Sequence, residues 1–133
     1  MNLNSKTLHE DGVVTAFVVG LMMTFIVCAG LGVDGGRLIA TRLELADRAE
    51  NAARIGVQEL TDLRSGEPKI DSSSAREASN SYLATQNLDF VVTTTGTSVT
   101  VTVSREVKMT LLKLFGAQDH TIFVTRIAEP RDH

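Results

Sequence analysis

The chain has 133 residues, of which 43% are hydrophobic and 22% are charged, and its formal net charge is −3. This length accommodates one domain of ordinary size. The mild acidity and the lack of any Lys/Arg run count against nucleic-acid binding, which needs a basic surface. The single cysteine, Cys28, excludes an internal disulfide framework and offers no metal-ligand spacing.

The first predicted element is an apolar run that follows the acidic pair Glu10-Asp11. Its twenty-one residues, Val13 to Val33, carry no charge. As an α-helix the run is about 31 Å long, close to the ~30 Å hydrocarbon core of a bilayer. Three interpretations are open: a buried core helix, a signal peptide cleaved after Ala29, and a transmembrane helix that is retained.

The flanks of the run favour the retained transmembrane helix. A chain this short cannot surround so long a helix with protein on every side. A signal peptide has a shorter apolar region and a positively charged leader, whereas here Lys6 is offset by Glu10 and Asp11. A simple count of the flanking cations, with Arg37, Arg42 and Arg48 after the run and Lys6 before it, places the C-terminal side in the cytoplasm. Acidic residues lie between these arginines, and charge alone leaves the orientation unresolved.

Small residues recur at every fourth position of this helix, a spacing that lets helix backbones approach closely in lipid. They are Ala16, Gly20, Thr24, Cys28, Gly32, Gly36 and Ala40. The alternative is that small residues are merely common in membrane helices and that the glycines permit bending. We favour packing, and predict Ala16, Gly20, Thr24, Gly32 and Gly36 as helix-packing positions.

The helical pattern continues beyond Gly36 with apolar residues at spacings of three and four, which indicates one apolar face. These residues are Ala46, Ala49, Ala53, Gly56, Leu60 and Leu63. Because Ala46, Ala49, Ala53 and Gly56 are small, we predict that a second element packs closely on them, either the chain's own sheet or a helix of another copy. The helix is expected to run from about Val13 to Leu63, unless Gly35-Gly36 breaks it, and to end before the turn at 65–68.

The last half of the chain predicts a short helix and a small antiparallel sheet. A helix is expected near residues 75–85, with Ser73 or Ser74 as its N-cap. Strict alternation over 99–104 gives one apolar and one hydroxylated face, so we expect the amphipathic helix to cover the sheet on one side only.

Two further features complete this half of the chain. Gly96-Thr97 is the predicted hairpin turn, with a positive φ at the glycine, and a third strand is expected over about 120–128. The intervening segment 109–118 is rich in leucine and contains a short helix that Gly116 ends. It is either an exposed apolar tip that touches a partner or the bilayer, or a crossover that plugs the end of the core, which we favour.

No pattern of catalytic or cofactor-binding residues is present. His9, His120 and His133 are isolated in the sequence, so a metal site is not expected. Gly35-Gly36 lies in a helical pattern rather than after a strand, unlike a phosphate-binding loop. We therefore predict neither an enzyme nor a cofactor.

The N-terminal half resembles the TadE/TadG-like family of Flp (Tad) pilus-assembly proteins. The resemblance rests on a short polar leader, a glycine before the apolar helix, the motif Val33-Asp34-Gly35-Gly36-Arg37 and an Ala-rich helix after it. It extends from Asp11-Gly12 through Leu60, somewhat under half of the chain. Val33, Asp34, Gly36 and Arg37 are the motif residues, and the 109–118 segment and the strands also resemble small members of the family, more loosely.

This resemblance implies a pilin-like α+β architecture, in which a long N-terminal helix packs on a three-stranded antiparallel sheet. It implies a leader (1–12), a transmembrane helix (13–33), an amphipathic continuation (34–64) and a head (65–133). The N-terminus is expected in the cytoplasm and the head outside, with membrane lipid and other pilin-like or Tad proteins as partners. Pilin precursors are cut after a glycine that a Glu follows five residues later. Gly12 is the candidate processing site, but Phe17 stands at the Glu position, which leaves a retained leader as the alternative.

The expected function is that of a minor pilin or an accessory of Tad pilus assembly, acting by helix packing rather than catalysis. Two alternatives belong to other classes. One is a membrane-tethered sensor or binding module, for which a sizeable polar pocket in the head is the discriminating feature. The other is a secreted protein released after Ala29.

Overall fold

The computed structural model describes residues 4–61 and 69–130, with side chains described at 12–59 and 69–130. A long helix is followed by short elements and an antiparallel sheet, which confirms the predicted α+β class. The elements are α1 (Asn4–Val57), β1 (Leu60–Thr61), β2 (Lys69–Ile70), α2 (Ser72–Ala84), β3 (Asp89–Thr94), β4 (Val99–Val107), a 3-10 helix (Leu112–Phe115) and β5 (His120–Ala128).

The chain divides into two compact units. The first, which we call the helix–loop unit, combines the residues up to Gly36 with Met109–Gln118. The second, the head unit, combines Arg37–Lys108 with the residues from Asp119 onward. Helix α1 contributes its first part to the helix–loop unit and its last part to the head unit.

Helix α1 passes through Gly35-Gly36 without a break, but its predicted end was wrong. It ends at Val57 instead of Leu63. The reason is that the next residues pair as a strand, with Leu60 opposite Ile70 and Thr61 opposite Lys69. Leu60 is therefore not part of the helical face, and Leu63 and the predicted turn at 65–68 lie outside the described residues.

The core of the head unit lies between α1, α2 and one face of the sheet. The sheet has the order β3-β4-β5, with both pairings antiparallel and with Val101 opposite Val92 and Val103 opposite Val124. The core residues are small or branched and are contributed by every element around them. They are Leu45, Ala49, Ala52, Ala53, Ile70, Ala75, Leu83, Val92, Val99, Val101, Val103 and Val124. Removal of their apolar surface from water is the main stabilising term of this unit.

The sheet is one-sided, as the alternation predicted. Val99, Val101 and Val103 are fully buried beneath α1 and α2. On the opposite face the hydroxyls of Thr102 and Thr125 lie 2.9 Å apart on neighbouring strands. At the rim, ion pairs join α1 to the sheet, with Glu44 3.0 Å from Arg105 and Glu50 3.8 Å from Arg126. These pairs are partly exposed, so they contribute little beyond fixing the helix position.

The hairpin turn lies at Gly96-Thr97 as predicted, but the predicted positive φ of Gly96 was wrong. Among the described glycines the positive φ belongs to Gly116 (88°). The turn is instead held by Thr95, whose backbone N–H donates to the Ser98 carbonyl (2.8 Å) and whose hydroxyl accepts from the Ser98 N–H (2.9 Å). Hydrogen bonds of Thr95 therefore stabilise the turn, and a left-handed conformation at Gly96 is not required.

Helix α2 begins earlier than predicted, and its N-cap is Asp71 rather than Ser73 or Ser74. The Asp71 carboxylate accepts from the backbone N–H of Ser73 (3.0 Å) and of Ser74 (3.2 Å). The hydroxyl of Ser73 also donates to this carboxylate. These hydrogen bonds lower the pKa of Asp71, and the one from the Ser73 hydroxyl has the largest effect. Asp71 therefore supplies two donors of the first turn with the acceptor that they lack within the helix.

Candidate interaction site

The apolar part of α1 exposes its large side chains. Phe17 and Phe25 are 70% and 67% exposed, and none of the most apolar 18-residue window, whose mean hydropathy is 2.4, is buried. By length and composition this one helix can span a membrane. A soluble fold does not normally leave an apolar surface of this extent in water, so the segment is a candidate membrane span.

The predicted small-residue positions of this segment have open space around them. Ala16, Gly20, Thr24, Gly32 and Gly36 are all exposed. A Cβ added at any of these three glycines meets no atom within 4 Å. The hydroxyl of Thr24 donates to the Gly20 carbonyl (2.9 Å), so it is satisfied within its own helix. The packing role of these positions stays a prediction.

The small residues in the last part of α1 pack within the chain. Ala49 and Ala53 are buried in the head core, and Ala46 packs against it. A Cβ on Gly56 would lie 2.6 Å from the Ser79 hydroxyl oxygen and 3.1 Å from a Val99 methyl carbon. Of the two partners that the sequence left open, the chain's own α2 and sheet occupy this face.

The approach of α2 to α1 is fixed by one polar contact. Ser79 is fully buried, and its hydroxyl donates to the carbonyl of Ala52 at 2.9 Å. A larger residue at either Gly56 or Ser79 would separate the helices and break this bond. Leu45 and Ala52, which share this face, were missed because the buried face is wider than the predicted stripe of Ala46, Ala49, Ala53 and Gly56.

The central residue of the sequence motif, Asp34, is almost fully buried, with 1% of its surface exposed. Its two carboxylate oxygens accept hydrogen bonds from three consecutive backbone N–H groups. The distances are 3.2 Å from Thr110, 2.9 Å from Leu111 and 2.7 Å from Leu112. A buried carboxylate is stable only when such donors replace its water. We call this arrangement the Asp34 clamp.

The clamp caps the 3-10 helix of the loop from a distance. The N-terminal N–H groups of a helix have no hydrogen-bond acceptor within the helix. The N-cap residue of this 3-10 helix supplies none from its side chain, and Asp34 of α1 accepts the hydrogen bonds in its place. Asp34 therefore attaches the segment Met109–Gln118 to α1, which is a role that the sequence could not reveal because 76 residues separate Asp34 from Thr110.

Gly30 allows this attachment. It is buried, and a Cβ at that position would lie 3.2 Å from the Leu112 Cδ2 and 3.4 Å from the Leu111 Cβ. Gly30 and Asp34 are four residues apart and so lie on one face of α1. Close packing was predicted for the four-residue series that contains Gly32 and Gly36. Gly30 does not belong to that series, so its role as a contact position was missed. The motif residues Val33, Gly36 and Arg37 are exposed.

The attached segment has one buried end and one exposed tip. Met109 is 9% exposed, whereas Leu114 and Phe115 are 78% and 50% exposed. Gly116 ends the 3-10 helix in the left-handed region, as predicted. The favoured interpretation, a plug for the head core, was wrong, because the Asp34 clamp draws the segment into the helix–loop unit.

Comparison with known families bears on this helix. Residues 12–59 match the family described as "Putative Flp pilus-assembly TadE/G-like". The predicted resemblance to the Tad family is confirmed over this segment. No curated protein matches the chain, and no solved structure does.

The matched segment corresponds to most of helix α1 and the two residues after it. It begins at Gly12, contains the apolar run, the Asp34 clamp residue and the small face of α1, and ends immediately before β1. The match supports involvement in Flp pilus assembly. Gly12, the candidate processing site, lies within α1 and has open space around it.

The described residues hold no group of three or more His, Cys, Asp or Glu side chains that could bind a metal. The head unit has an open depression of about 520 Å³ lined by Ser72, Ser73, Arg76, Glu77, Asn80 and Ser81. All six belong to α2, so the depression is a gap between side chains of one helix and not a pocket between elements.

Proposed function

We propose that the chain is a membrane-anchored, pilin-like component of Tad (Flp) pilus assembly, a minor pilin or an accessory, that acts by helix packing. In this proposal residues 13–33 cross the membrane. The N-terminus lies in the cytoplasm, and the head unit lies outside the cell membrane. The match of residues 12–59 to a pilus-assembly family is the observation that carries the proposal.

The exposure of the apolar run supports membrane anchoring. Its large apolar side chains are exposed in the described structure, so the protein itself does not bury them. The hydrocarbon of a membrane would remove them from water, and this burial is stabilising. A helix in lipid also satisfies all its backbone hydrogen bonds internally, which suits the uninterrupted α1.

The open small-residue positions support packing against another membrane helix. Where small residues occur in the head part of α1, an element of the chain itself fills the space, as at Gly56. At Gly20 and Gly32 nothing within the described residues does so. In lipid, association depends on close backbone contact, and a residue without a side chain permits it.

A pair of neighbouring substitutions tests the packing role in cells. Gly20→Leu adds a large side chain to the small-residue stripe without meeting any atom of the chain, so the fold is expected to tolerate it. Val19→Leu is the matched control, because Val19 is exposed on the same turn but off the stripe. We expect Gly20→Leu to reduce surface pili and co-purification with Tad components, with unchanged membrane levels, and Val19→Leu to leave both intact.

Deletion of the gene and fractionation of the cells test the function itself. We expect the deletion strain to lose or reduce Flp pili, and the protein to remain in membranes after alkaline washing. Recovery in sheared filaments identifies a minor pilin, and recovery only in membranes identifies an accessory. Normal piliation of the deletion strain would contradict the proposal, and so would release of a chain that begins at Gly30 into the medium.

A further inference from the structure

We propose that the segment Met109–Gln118 is a second membrane contact, with Leu114 and Phe115 inserted into the lipid boundary beside α1. This inference rests on the proposed membrane insertion of residues 13–33. The ligand is the bilayer surface itself. Four observations within the helix–loop unit support it: the depth of the contact on α1, the internal pairing of the loop backbone, the exposure of its tip, and the position of Lys113.

The contact of the loop with α1 lies within the apolar run. Leu111 and Leu112 pack on Gly30, which precedes the end of the run, Val33, by three residues. Three residues correspond to about 4.5 Å along the helix axis. When the run lies in hydrocarbon, these two leucines are therefore held at its boundary and not in bulk water.

The backbone of the loop is paired well enough to enter a region with little water. In the Asp34 clamp, the carboxylate accepts hydrogen bonds from the N–H groups of Thr110, Leu111 and Leu112. Beyond the clamp, Leu114 donates to the Leu111 carbonyl (3.2 Å), and Ala117 to the Leu112 carbonyl (3.1 Å). Unpaired backbone groups are the main obstacle to placing irregular chain near hydrocarbon, and the five N–H groups named here have acceptors within the protein.

The tip of the loop exposes two large apolar side chains from adjacent positions. Leu114 and Phe115 are 78% and 50% exposed, and the loop holds them in one turn that Gly116 closes. Exposure of such side chains to water is unfavourable relative to their burial in an apolar medium. Since the loop is attached to a helix suited to lipid, the nearest apolar medium is the same bilayer.

Lys113 lies between the leucines and the tip and is exposed. A lysine stem lies comfortably along an apolar surface while its ammonium group reaches the headgroups. One exposed lysine beside apolar side chains is compatible with the boundary between hydrocarbon and headgroups.

Tryptophan fluorescence tests the proposal directly, because the chain has no Trp. Three full-length variants, each with one substitution, are reconstituted in vesicles of phosphatidylcholine and phosphatidylglycerol. Phe115→Trp reports the loop tip. Phe25→Trp reports the centre of the apolar run, and Phe123→Trp reports an exposed ring on the head sheet, where Phe123 is 67% exposed. Lipids brominated near the headgroup or near the chain end serve as quenchers.

We expect blue-shifted emission and quenching by headgroup-proximal bromine for Phe115→Trp, deep quenching for Phe25→Trp and neither for Phe123→Trp. If Phe25→Trp is quenched and Phe115→Trp emits as in water, the second membrane contact is wrong and the membrane helix stands. If Phe25→Trp is not quenched, the proposed insertion of α1 fails, and with it this inference. Equal quenching of Phe115→Trp and Phe123→Trp would also overturn it, because the contact would not be specific to the loop.

Discussion

Removal of the Asp34 carboxylate is expected to release the segment Met109–Gln118 from α1. In Asp34→Ala the N–H groups of Thr110, Leu111 and Leu112 lose their shared acceptor. The loop then leaves α1, because an unpaired buried N–H is more costly than a hydrated one.

The magnitude follows from the three hydrogen bonds. A bond to a charged group contributes about 1.5–3 kcal/mol, but released amides recover part of this from water. If the net loss equals two bonds at the low end of that range, it is about 3 kcal/mol, or about 100-fold in the opening equilibrium of the loop. Asp34→Asn keeps one accepting oxygen but lacks the charge, so we expect an intermediate effect.

Hydrogen exchange of the loop amides, measured by mass spectrometry in detergent micelles, gives this equilibrium. We expect the amides at 110–112 to exchange about 100-fold faster in Asp34→Ala, while those of β4 remain protected by the head core. Asp47→Ala is the matched control, because Asp47 is an exposed acid on the same helix and its removal changes the charge equally.

Unchanged protection at 110–112 in Asp34→Ala would refute the clamp as the attachment of the loop. Equal acceleration in Asp47→Ala would also refute it, since the effect would then follow from net charge and not from the hydrogen bonds.

Two further predictions concern the head unit. Gly56→Ala is expected to destabilise the head by about 1–3 kcal/mol, because its Cβ would lie 2.6 Å from the Ser79 hydroxyl oxygen, and Gly36→Ala, with open space around it, is the control in chemical denaturation. Asp71→Ala is expected to lower the melting temperature at pH 7 by removing the cap of α2. Hydrogen bonds from Ser73 and Ser74 lower the pKa of Asp71 in the folded state. The charged cap therefore contributes its full stabilisation at pH values above the ordinary Asp pKa of 3.8, and this contribution is lost as the pH falls through the lowered pKa of the folded state. The melting temperatures of the wild type and Asp71→Ala should therefore converge in acid, and a constant difference would contradict the cap's role.

The parts of the fold that could be predicted were those that depend on residue patterns within a few positions of the sequence. The alternation of valine with threonine along β4 indicated which face is buried, and the structure has Val101 and Val103 there. The unbroken helix and the ending of the loop helix at Gly116 also follow from patterns within a few residues.

The parts that were missed depend on contacts between distant residues. Nothing near Val57 ends α1, and the strand pairing of Leu60 with Ile70 decides it. Asp34 looks in sequence like a charge at the end of an apolar run, and its partner amides are known only once the loop is placed. Gly56 was recognised as small, but whether another copy or α2 fills the space is a tertiary question.

Small residues along α1 serve two different purposes, and the structure separates them. At Gly56 the space is filled by Ser79 and Val99 of the same chain, so an added methyl group acts on folding. At Gly20 the space is open among the described residues, so the same kind of addition leaves the fold of the monomer intact. Loss of piliation with a stable, membrane-bound Gly20 variant therefore measures assembly alone, whereas a Gly56 variant confounds assembly with stability. It follows that the partner surface of this helix has to be mapped with substitutions at positions that have open space, Gly20, Gly32 and Gly36, and not at Gly56.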